Sequence, residues 1–573
     1  MTAVPEFSRS SVQQRTWSLL QDAIVFWAVL AAIYGVLIIA RYWIGQPIPN
    51  VEIARSPWSL PRYAFYSLVR MGVAYVFSLV FALGYGYVAA YNDRLRSVML
   101  ALLDILQSIP VLSFLPGVML AMVALFPTRQ LGVELGSILL IFTGQVWNMA
   151  FSFYASLRAI PRELREAADI YRFGKWQRFF ELELPYGAIG LVWNSMVSVA
   201  GGWFFLMACE MFVLGKRDFR LPGLGSYLQT AASAGDTQAV LWGLSAMIGV
   251  IVLLDQLVWR PAIAWADKFK FETVESGPPP SSPILHLLRN ANILKRLRAS
   301  VIEPLSERLI VRLGKTDHIV PASHPGGRLA MIVCGAAVAA GMIAALIHGA
   351  LVLRTITKQE VVSTVLGAGA TFLRVNVSLL IASLWTIPAG VMIGFQPKLA
   401  RIAQPLAQIA ASVPATALFP VLLLALIKVG GGLGTGSILL MLLGTQWYIL
   451  FNVIAGAIAI PSDLREVAAL YRFPRWDLWR MVILPGIFPY LITGLVTASG
   501  GAWNASIVAE YFHFKGQVLS TLGLGAQISQ ATDEGNFDLL LLSTIVMATL
   551  VVTINRLVWR PLYRLAETKY SLS

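Results

Sequence analysis

Charged residues and cysteines are scarce in this chain of 573 residues. Only 13% of the residues are Asp, Glu, Lys or Arg, which is about half the share that soluble domains usually carry. The two cysteines, Cys209 and Cys334, lie in apolar stretches, and no CxxC pair or Cys/His cluster points to a metal or redox site. The scarcity of charge argues against a soluble domain, and we expect both cysteines to be ordinary packing residues.

Long hydrophobic runs are abundant instead. Hydrophobic residues make up 57% of the chain, and the mean hydropathy is +0.69. Uncharged runs such as 23–40, 71–91 and 375–396 approach the roughly 20 residues that a helix needs to cross ~30 Å of hydrocarbon. The alternating ten-residue pattern of barrel strands is not seen. The sequence therefore predicts an all-α polytopic membrane protein.

The net charge of +14 would suggest nucleic-acid binding in a soluble protein. Here Arg94, Arg96 and the basic stretch 158–178 lie between apolar runs, where the positive-inside rule places such residues on the cytoplasmic face. We therefore expect contact with membrane lipid and no nucleic-acid partner. The N-terminal region is polar through Asp22, and no small-residue cleavage site follows the first apolar run. We expect an uncleaved first span and a cytoplasmic N-terminus.

The chain repeats itself over nearly its whole length. Glycines, prolines, aromatic and acidic residues recur at an offset of 300, as in Gly144/Gly444, Trp147/Trp447, Pro161/Pro461, Glu166/Glu466, Trp176/Trp476, Pro185/Pro485, Trp203/Trp503 and Glu210/Glu510. Upstream the offset is 304, as in Arg70/Arg374 and Pro110/Pro414, and one four-residue indel explains the change. We interpret this pattern as a tandem duplication.

Six spans are predicted in each copy. They lie near 23–44, 63–91, 97–126, 132–157, 187–214 and 238–260, and near 328–353, 367–394, 400–428, 435–458, 487–511 and 538–558. An even number of spans returns the chain to its starting side, so the copies form parallel repeats with both termini in the cytoplasm. The two predicted repeat units are residues 1–267 and 328–573.

The segment between the copies, 268–327, differs in composition from both. It opens with SGPPPSSP at 276–283, which is typical of a disordered or extended linker, and becomes helical and basic over 287–315. We predict a cytoplasmic linker that lies on the inner membrane face and is attracted to anionic lipid. A docking surface for a partner is the alternative.

Each copy also carries one charged, aromatic segment, 158–185 and 458–485. The first contains LREAADIYRF and the second LREVAALYRF, each at a fixed distance before a Leu-Pro pair. Three- and four-residue spacing of apolar residues predicts a short amphipathic helix whose apolar face consists of Leu164, Ala167, Ala168 and Tyr171. A charged segment kept in two copies indicates a protein partner with two equivalent docking places.

Glu166-Ala167-Ala168 followed by Leu184-Pro185 resembles the EAA coupling motif in permease subunits of ATP-binding-cassette (ABC) importers. Glu466-Val467-Ala468 with Leu484-Pro485 has the same spacing. The words IPRELREAA, ELELP, AIPSDLREVA and GGAW are similar to the nitrate/sulfonate/taurine/bicarbonate branch of that family. The resemblance covers both halves and makes the chain look like two permease units fused in one.

The resemblance implies an ATP-driven importer of a small oxyanion in the bacterial inner membrane. Two separate ABC ATPase subunits would bind ATP and Mg, while this chain would bind no cofactor or metal and have no catalytic residues. Whether a periplasmic substrate-binding protein takes part stays open. The family motif maps the ATPase-coupling role onto Leu164, Arg165, Glu166, Ala167, Ala168, Tyr171, Arg172, Leu464, Arg465, Glu466, Val467, Ala468, Tyr471 and Arg472.

The chain departs from the family pattern at Arg172 and Arg472. The family has a glycine six residues after the glutamate, where it ends the helix in a left-handed conformation. Arginine at both positions suggests either a differently shaped turn or an added contact with an acidic ATPase surface.

Candidate substrate-path residues are the polar and aromatic side chains inside predicted spans, since polar groups there are costly. Arg70 and Arg374 would attract an anion, or else snorkel or pair with a carboxylate; Glu210 and Glu510 would pair with them or act at a gate. Trp203 and Trp503 follow glycines and would form an aromatic wall or simply pack. The copies differ at Phe204-Phe205 against Asn504-Ala505, so we expect an asymmetric path that also includes Gln145, Asn148 and Asn504.

Two other classes of function compete with an ABC permease. A secondary transporter or channel without ATPases would be expected to carry carboxylate relays inside its spans, and the spans are poor in Asp and Glu. A membrane scaffold that recruits a partner through its basic linker would leave the twin segments unexplained.

The twin arginines generate a first prediction. Charge reversal at Arg172 and Arg472 together should weaken association with the ATPase subunits, because a favourable contact with an acidic surface would become repulsive. A pull-down of the ATPases with the variant measures this. Unchanged complex formation would exclude the contact.

Overall fold

The computed structural model describes most of both repeats. The described residues are 52–126, 131–214, 217–269, 353–428, 430–460, 462–514 and 517–569, with scattered positions between 340 and 351. The predicted span 23–44, most of the span 328–353 and nearly all of the linker 268–327 lie outside the described residues.

Both halves consist of long helices in the same order. The first contains α1 (Leu60–Tyr91), α2 (Asp93–Ser108), α3 (Leu115–Leu125), α4 (Leu131–Ala159), α5 (Arg162–Ile170), α6 (Lys175–Glu210), the hairpin β1 (Val213–Leu214) and β2 (Arg217–Asp218), α7 (Leu224–Ser233) and α8 (Thr237–Ala266). The second contains α9 (Lys358–Phe395), α10 (Pro397–Ser412), α11 (Ala415–Lys428), α12 (Leu433–Ala459), α13 (Ser462–Leu470), α14 (Arg475–Ala509), the hairpin β3 (Tyr511–Phe514) and β4 (Gln517–Ser520), α15 (Leu524–Glu534) and α16 (Phe537–Ala566, with helix continuing to Lys569).

Eight of the described helices are long and apolar enough to cross a membrane: α1, α4, α6, α8, α9, α12, α14 and α16. The prediction of a helical polytopic membrane protein built from two repeats is confirmed. Helix α6 and its counterpart α14 each contain a wider π-helical turn near the start, at Phe179–Glu183 and Trp479–Ile483. The repeat therefore extends to local irregularities of the backbone.

The predicted continuous spans 97–126 and 400–428 are wrong. Each is broken in the middle: α2 ends before Pro110 and α10 ends before Pro414. Proline cannot donate a helical hydrogen bond, and the residue before it is pushed out of the α region; Val413 accordingly has φ −76° and ψ 116°. With 16 residues, α2 is about 24 Å long and too short to cross ~30 Å alone.

The two ends of the molecule differ. Helices α5 and α13 lie at one end, which we call the coupling end. Tyr91 at the end of α1 donates to Glu183 in the first turns of α6 at 2.5 Å, so both helices reach this end. The opposite end, with the hairpins, α7 and α15, we call the far end.

The halves pack reciprocally across the centre. Helix α2 of the first half lies against α16, where Ile109 and Ala548 are buried together, and α10 of the second half lies against α8. The Leu112 amide donates to the Asn504 side chain at 3.5 Å, and the Thr544 hydroxyl to a carbonyl on the first half at 3.4 Å. One apolar core contains residues of both halves. The repeats therefore form a single body around a shared centre.

Candidate functional site

A cavity of about 1220 Å³ lies between the halves. Its walls come from α2, α4 and α6 of the first half and from α10, α12, α14 and α16 of the second. Ser97 and Arg564 line it at the coupling end. Beyond its other limit, Cys209 on α6 and Ala509 on α14 have no exposed surface. The cavity therefore reaches toward the coupling end and is closed before the far end.

The charged residues among the described lining residues are all basic. Among the described residues that line the cavity none is acidic, while Arg560 and Arg564 lie near the coupling end. In the first half Arg260, the counterpart of Arg560, pairs with Asp255 at 3.1 Å. The second half has Asn555 in place of that aspartate. A cavity with this balance of charge is suited to an anion and unfavourable for a cation.

The rest of the lining is mostly aliphatic and aromatic, and its polar side chains are mainly carboxamides. Carboxamides can donate hydrogen bonds to an anion without a full charge of their own. The amide side chains are Gln107, Asn148, Asn194, Gln404, Gln408, Asn452, Asn504 and Asn555.

Tyr448 lies between the two halves, and the sequence analysis missed it. Its hydroxyl oxygen is 3.6 Å from where a β-carbon on Gly201 would lie, and its ring is 3.5 Å from the equivalent point on Gly501. Gly201 and Gly501 are counterparts in the two repeats, so one side chain lies between equivalent positions of both halves. The signal was available in the repeat, because the counterpart of Tyr448 is Asn148.

The predicted difference between Phe204-Phe205 and Asn504-Ala505 falls on the cavity wall, since all four residues line it. The Phe205 ring lies over Gly144, where a β-carbon would come within 2.3 Å of it. The two walls at this level are therefore aromatic on one side and small or polar on the other.

Only Asn148 and Asn504 among the nine predicted path residues line the cavity. Trp203 and Trp503 are buried in the helix cores, 2% and 1% exposed, so the packing alternative describes them. Gln145 is fully buried inside the first half, where its amide nitrogen lies 3.0 Å from the sulfur of Met71. The location of a residue within an apolar span does not show whether its side chain faces the centre of the protein.

Arg70 also lies outside the cavity lining, in a buried ion-pair cluster toward the far end. It donates to Glu210 at 2.8 Å and, through two nitrogens, to Glu134 at 2.5 and 2.7 Å. A further bond at 2.8 Å goes to the carbonyl of Pro222. Glu210 also accepts from the Ser67 hydroxyl at 2.7 Å. The cluster joins α1, α4, α6 and the start of α7.

Arg374 makes the equivalent cluster in the second half. It donates to Glu510 at 2.9 Å and to the hydroxyl of Thr521 at 2.9 Å. The counterpart of Glu134 is Gly434, and the Thr521 hydroxyl lies next to it, so a neutral acceptor replaces the second carboxylate. For Arg70, Arg374, Glu210 and Glu510 the positions thus fit the pairing alternative and do not place them in the cavity.

Helices α5 and α13 form matched surface elements at the coupling end. Glu166 and Glu466 are exposed, as are Tyr171 and Tyr471 at 75% and 72%. Of the predicted apolar face, however, only Ala168 points inward: it is 4% exposed, and its counterpart is equally buried. Leu164 and Ala167 are half-buried, and Tyr171 faces outward. Ala168 packs on the chain itself because the short helix must bury one side against the adjoining spans.

The exposed apolar residues of these helices include two that the sequence analysis missed. Ile170 is 78% exposed and Leu470 is 80% exposed. Each precedes an exposed tyrosine, so both helices present an apolar pair beside an exposed glutamate. Arg165, by contrast, donates to the carbonyl of Leu157 at 2.8 Å and thereby caps the end of α4.

The expected change in the shape of the turn at Arg172 and Arg472 is wrong. Both arginines adopt the left-handed conformation that the family glycine would take, with φ 53° and 50°. The amide of Phe173 donates to the carbonyl of Ala168 at 2.9 Å, the pattern of a Schellman turn, and the second copy repeats it. The hydrogen-bond pattern fixes the conformation, although an arginine in it costs about 1–2 kcal/mol.

The two segments are anchored differently. In the first half Arg178 bridges Asp169 at 3.3 Å and the buried Glu183 at 3.2 Å, and Glu183 also accepts from Tyr91. The counterparts of these four residues are all apolar: Leu478, Ala469, Ile483 and Phe395. The first segment is thus fastened by a charged network and the second by hydrophobic packing.

The Arg70 cluster generates a stability prediction. Arg70→Met should lower the free energy of unfolding by about 3–5 kcal/mol, because Glu210 stays buried without its cation. Arg70→Met combined with Glu210→Gln should recover part of the loss. The measurement is the thermal midpoint of the purified chain in detergent. A single variant as stable as the wild type would contradict the structural role.

The left-handed backbone conformation of Arg172 generates a second stability prediction. Arg172→Gly should stabilise the end of α5 by about 1 kcal/mol, because glycine adopts this conformation without steric cost. Arg172→Ala keeps the cost and removes the charge, so it is the control. Hydrogen–deuterium exchange at the Phe173 amide should slow about fivefold in the glycine variant. Equal slowing in both variants would show that charge, and not conformation, is responsible.

Comparison with known proteins identifies the family of this chain. The family model described as binding-protein-dependent transport system inner membrane component matches residues 82–258 and 386–564, which together exceed half of the chain. The match falls once on each repeat and includes the helices that line the cavity and both coupling helices.

Individual relatives resemble one unit of the chain. A nitrate import permease of Leptolyngbya laminosa is 29% identical over 189 residues, covering 33% of this chain and 64% of the relative. A bicarbonate transport permease of Synechococcus elongatus is 27% identical over 189 residues (33% and 65%), and a taurine transport permease of Escherichia coli is 29% identical over 181 residues (31% and 62%). The chain spans a little less than two thirds of the length of these relatives. The duplicated family match, the paired surface helices and the shared cavity together show that the chain belongs to the binding-protein-dependent transport system inner membrane component family.

Proposed function

We propose that this chain carries the two permease units of an ATP-driven importer and moves a small anion across the cytoplasmic membrane. The observation that carries the proposal is the pair of matched surface helices, α5 and α13, under one cavity that both repeats enclose. The anion is supported by the two arginines and the lack of carboxylates among the described lining residues. Nitrate and bicarbonate are candidates for the anion, because permeases for them are similar to this chain. A similar permease transports taurine, a zwitterion that carries a sulfonate, so sulfonates are candidates as well.

The proposed partners are two ABC ATPase subunits, one at each coupling helix. Glu166 and Glu466, with the exposed apolar pairs that end each helix, would form the docking surfaces. ATP and Mg would bind to the ATPases, and this chain would bind no cofactor and hydrolyse no ATP. A periplasmic binding protein would deliver the anion at the far end, and contact of the basic linker 268–327 with lipid belongs to the same proposal.

The cavity is the proposed substrate path. Asn148 and Asn504 remain on it, joined by Tyr448 and the arginines near the coupling end. The described conformation would release the anion toward the ATPase side. In this proposal the coupling end and both termini face the cytoplasm. Closure of the ATPases would turn the halves so that the cavity opens at the far end instead.

The test is ATP-dependent anion uptake into proteoliposomes that contain this chain and candidate ATPase subunits. Charge reversal at Glu166 and Glu466 should lower uptake about tenfold or more, as expected for loss of a docking contact worth ~1.4 kcal/mol or more. Both side chains are exposed, so the fold should be unaffected. Charge reversal at Glu52, exposed near the far end, is the matched control and should leave uptake unchanged.

Two results would contradict the proposal. If the reversals at the coupling helices change nothing, α5 and α13 do not couple to ATPases. If anions cross at the same rate without ATPases, the chain is an ATP-independent transporter or channel.

A further inference from the structure

A polar recess opens from the side of the cavity in the first half. It has a volume of about 270 Å³ and lies among α2, α4 and α6. Its hydrogen-bonding side chains are three carboxamides and two hydroxyls: Gln107, Asn148, Asn194, Ser152 and Ser156. None of its lining residues carries a charge. Since a water molecule occupies about 30 Å³ of liquid, the recess has room for a small solute together with several waters.

A glycine lies against the two hydroxyls of the recess. A β-carbon on Gly190 would come within 2.7 Å of the Ser152 hydroxyl oxygen and 3.0 Å of the Ser156 hydroxyl oxygen. Both hydroxyls therefore lie directly over the bare backbone of α6. Any side chain at this position would displace them and occupy the space.

The second half fills the equivalent space. The counterpart of Gly190 is Tyr490, and its side chain packs on Gly456, the counterpart of Ser156, at 2.9 Å from where a β-carbon would lie. The polar set is also reduced, since the counterparts of Gln107, Asn148 and Asn194 are Ala411, Tyr448 and Gly494. Ser152 is replaced by Asn452, whose amide donates to the carbonyl of Tyr448 at 2.8 Å. The first half has Gly190 on α6 facing Ser156 on α4, whereas the second half has Tyr490 on α14 facing Gly456 on α12. The recess of the first half is therefore open and polar, and the equivalent space in the second half is occupied by the tyrosine ring.

The hydrogen bonds within the recess leave donors for a ligand. The Gln107 amide donates to the Asn148 carbonyl oxygen at 3.2 Å, which directs the Asn148 amino group away from that contact. Asn194 donates to the carbonyl of Gly190 at 3.0 Å and has a second amide hydrogen. Neutral donors of this kind suit an anion whose single charge is spread over several oxygens, because each oxygen needs only an ordinary hydrogen bond.

We propose that this recess is the anion-binding subsite of the permease, selective for a monovalent oxyanion and present once per chain. The inference rests on the proposed function, since it assigns a subsite of the same path. The arginines near the coupling end attract the anion into the cavity, and the recess holds it by hydrogen bonds. Because only the first half binds, one anion is handled in each cycle.

The test is nitrate binding to the purified chain in lipid nanodiscs, measured as the rise of its thermal midpoint on titration from chloride to nitrate at constant ionic strength. A ligand that binds only the folded state raises the midpoint according to its affinity. The wild type should be stabilised by nitrate relative to chloride. Asn194→Leu should weaken the apparent affinity for nitrate about tenfold, the effect of losing about 1.4 kcal/mol of hydrogen bonding.

A second variant copies the filled recess. Gly190→Tyr with Ser156→Gly reproduces the arrangement that the second half already folds with, and it should abolish the nitrate-dependent shift. Gly249→Ala is the control, because a β-carbon there meets nothing within 4 Å, and it should bind nitrate like the wild type. Wild-type affinity in the filled variant would overturn the subsite, as would equal stabilisation by nitrate and chloride.

Transport separates failure of the subsite from failure of the proposed function. Wild-type proteoliposomes that take up nitrate with ATP, while the filled variant takes it up equally well, would overturn the subsite alone. If the wild type takes up none of nitrate, bicarbonate and methanesulfonate, the proposed function fails and the subsite with it. Uptake by the wild type that the filled variant loses supports both.

Discussion

The buried arginine–glutamate pair in each half is the constraint on which the arrangement of the helices depends. A guanidinium and a carboxylate within membrane-spanning helices are tolerated only when nearly every hydrogen-bonding group is satisfied. Arg70 meets this condition only if α1, α4, α6 and the loop before α7 keep their places, and Arg374 sets the same condition in the second half. The cavity ends just before these clusters, since Phe205 and Ala505 lie five residues before Glu210 and Glu510. The ion pair thus holds the helices of each half together at the far end.

Fusion of the repeats allows the halves to keep the same frame and differ in chemistry. The ion pairs, the π-helical turns and the left-handed arginines occur in both. The halves differ at several pairs of counterparts, among them Asp255 and Asn555, Asn148 and Tyr448, and Gly190 and Tyr490. Two identical subunits around an axis cannot make such changes on one wall only. The asymmetry gives the cavity one charged edge and one polar recess, while the coupling helices remain nearly equivalent.

The sequence was sufficient to predict the class of protein, the duplication and the position of the short helices α5 and α13, because hydrophobic length and internal repetition do not depend on packing. It did not show which side of an amphipathic helix meets the protein's own core, so the buried Ala168 and the exposed Ile170 were missed. The location of Arg70 and Gln145 within apolar spans indicated that each needs hydrogen-bonding partners, but it did not identify those partners. Pro110 lies inside the apolar run 97–126, and the length of an apolar run does not show where a proline interrupts the helix. The recess depends on Gly190 and Ser156, 34 positions apart, and only the folded chain brings them together.

In the proposed transport cycle, two internally rigid halves move against each other around one cavity. Spin labels on cysteines at Lys175 and Arg475, the exposed starts of α6 and α14, would report the distance between the halves; labels at Arg94 and Lys175 would report the distance within the first half. Cys209 and Cys334 would be replaced by alanine first. With the ATPase subunits bound, addition of ATP should change the distance between halves and leave the distance within the half unaltered. A constant distance between halves during active uptake, or an equal change within the half, would contradict the account.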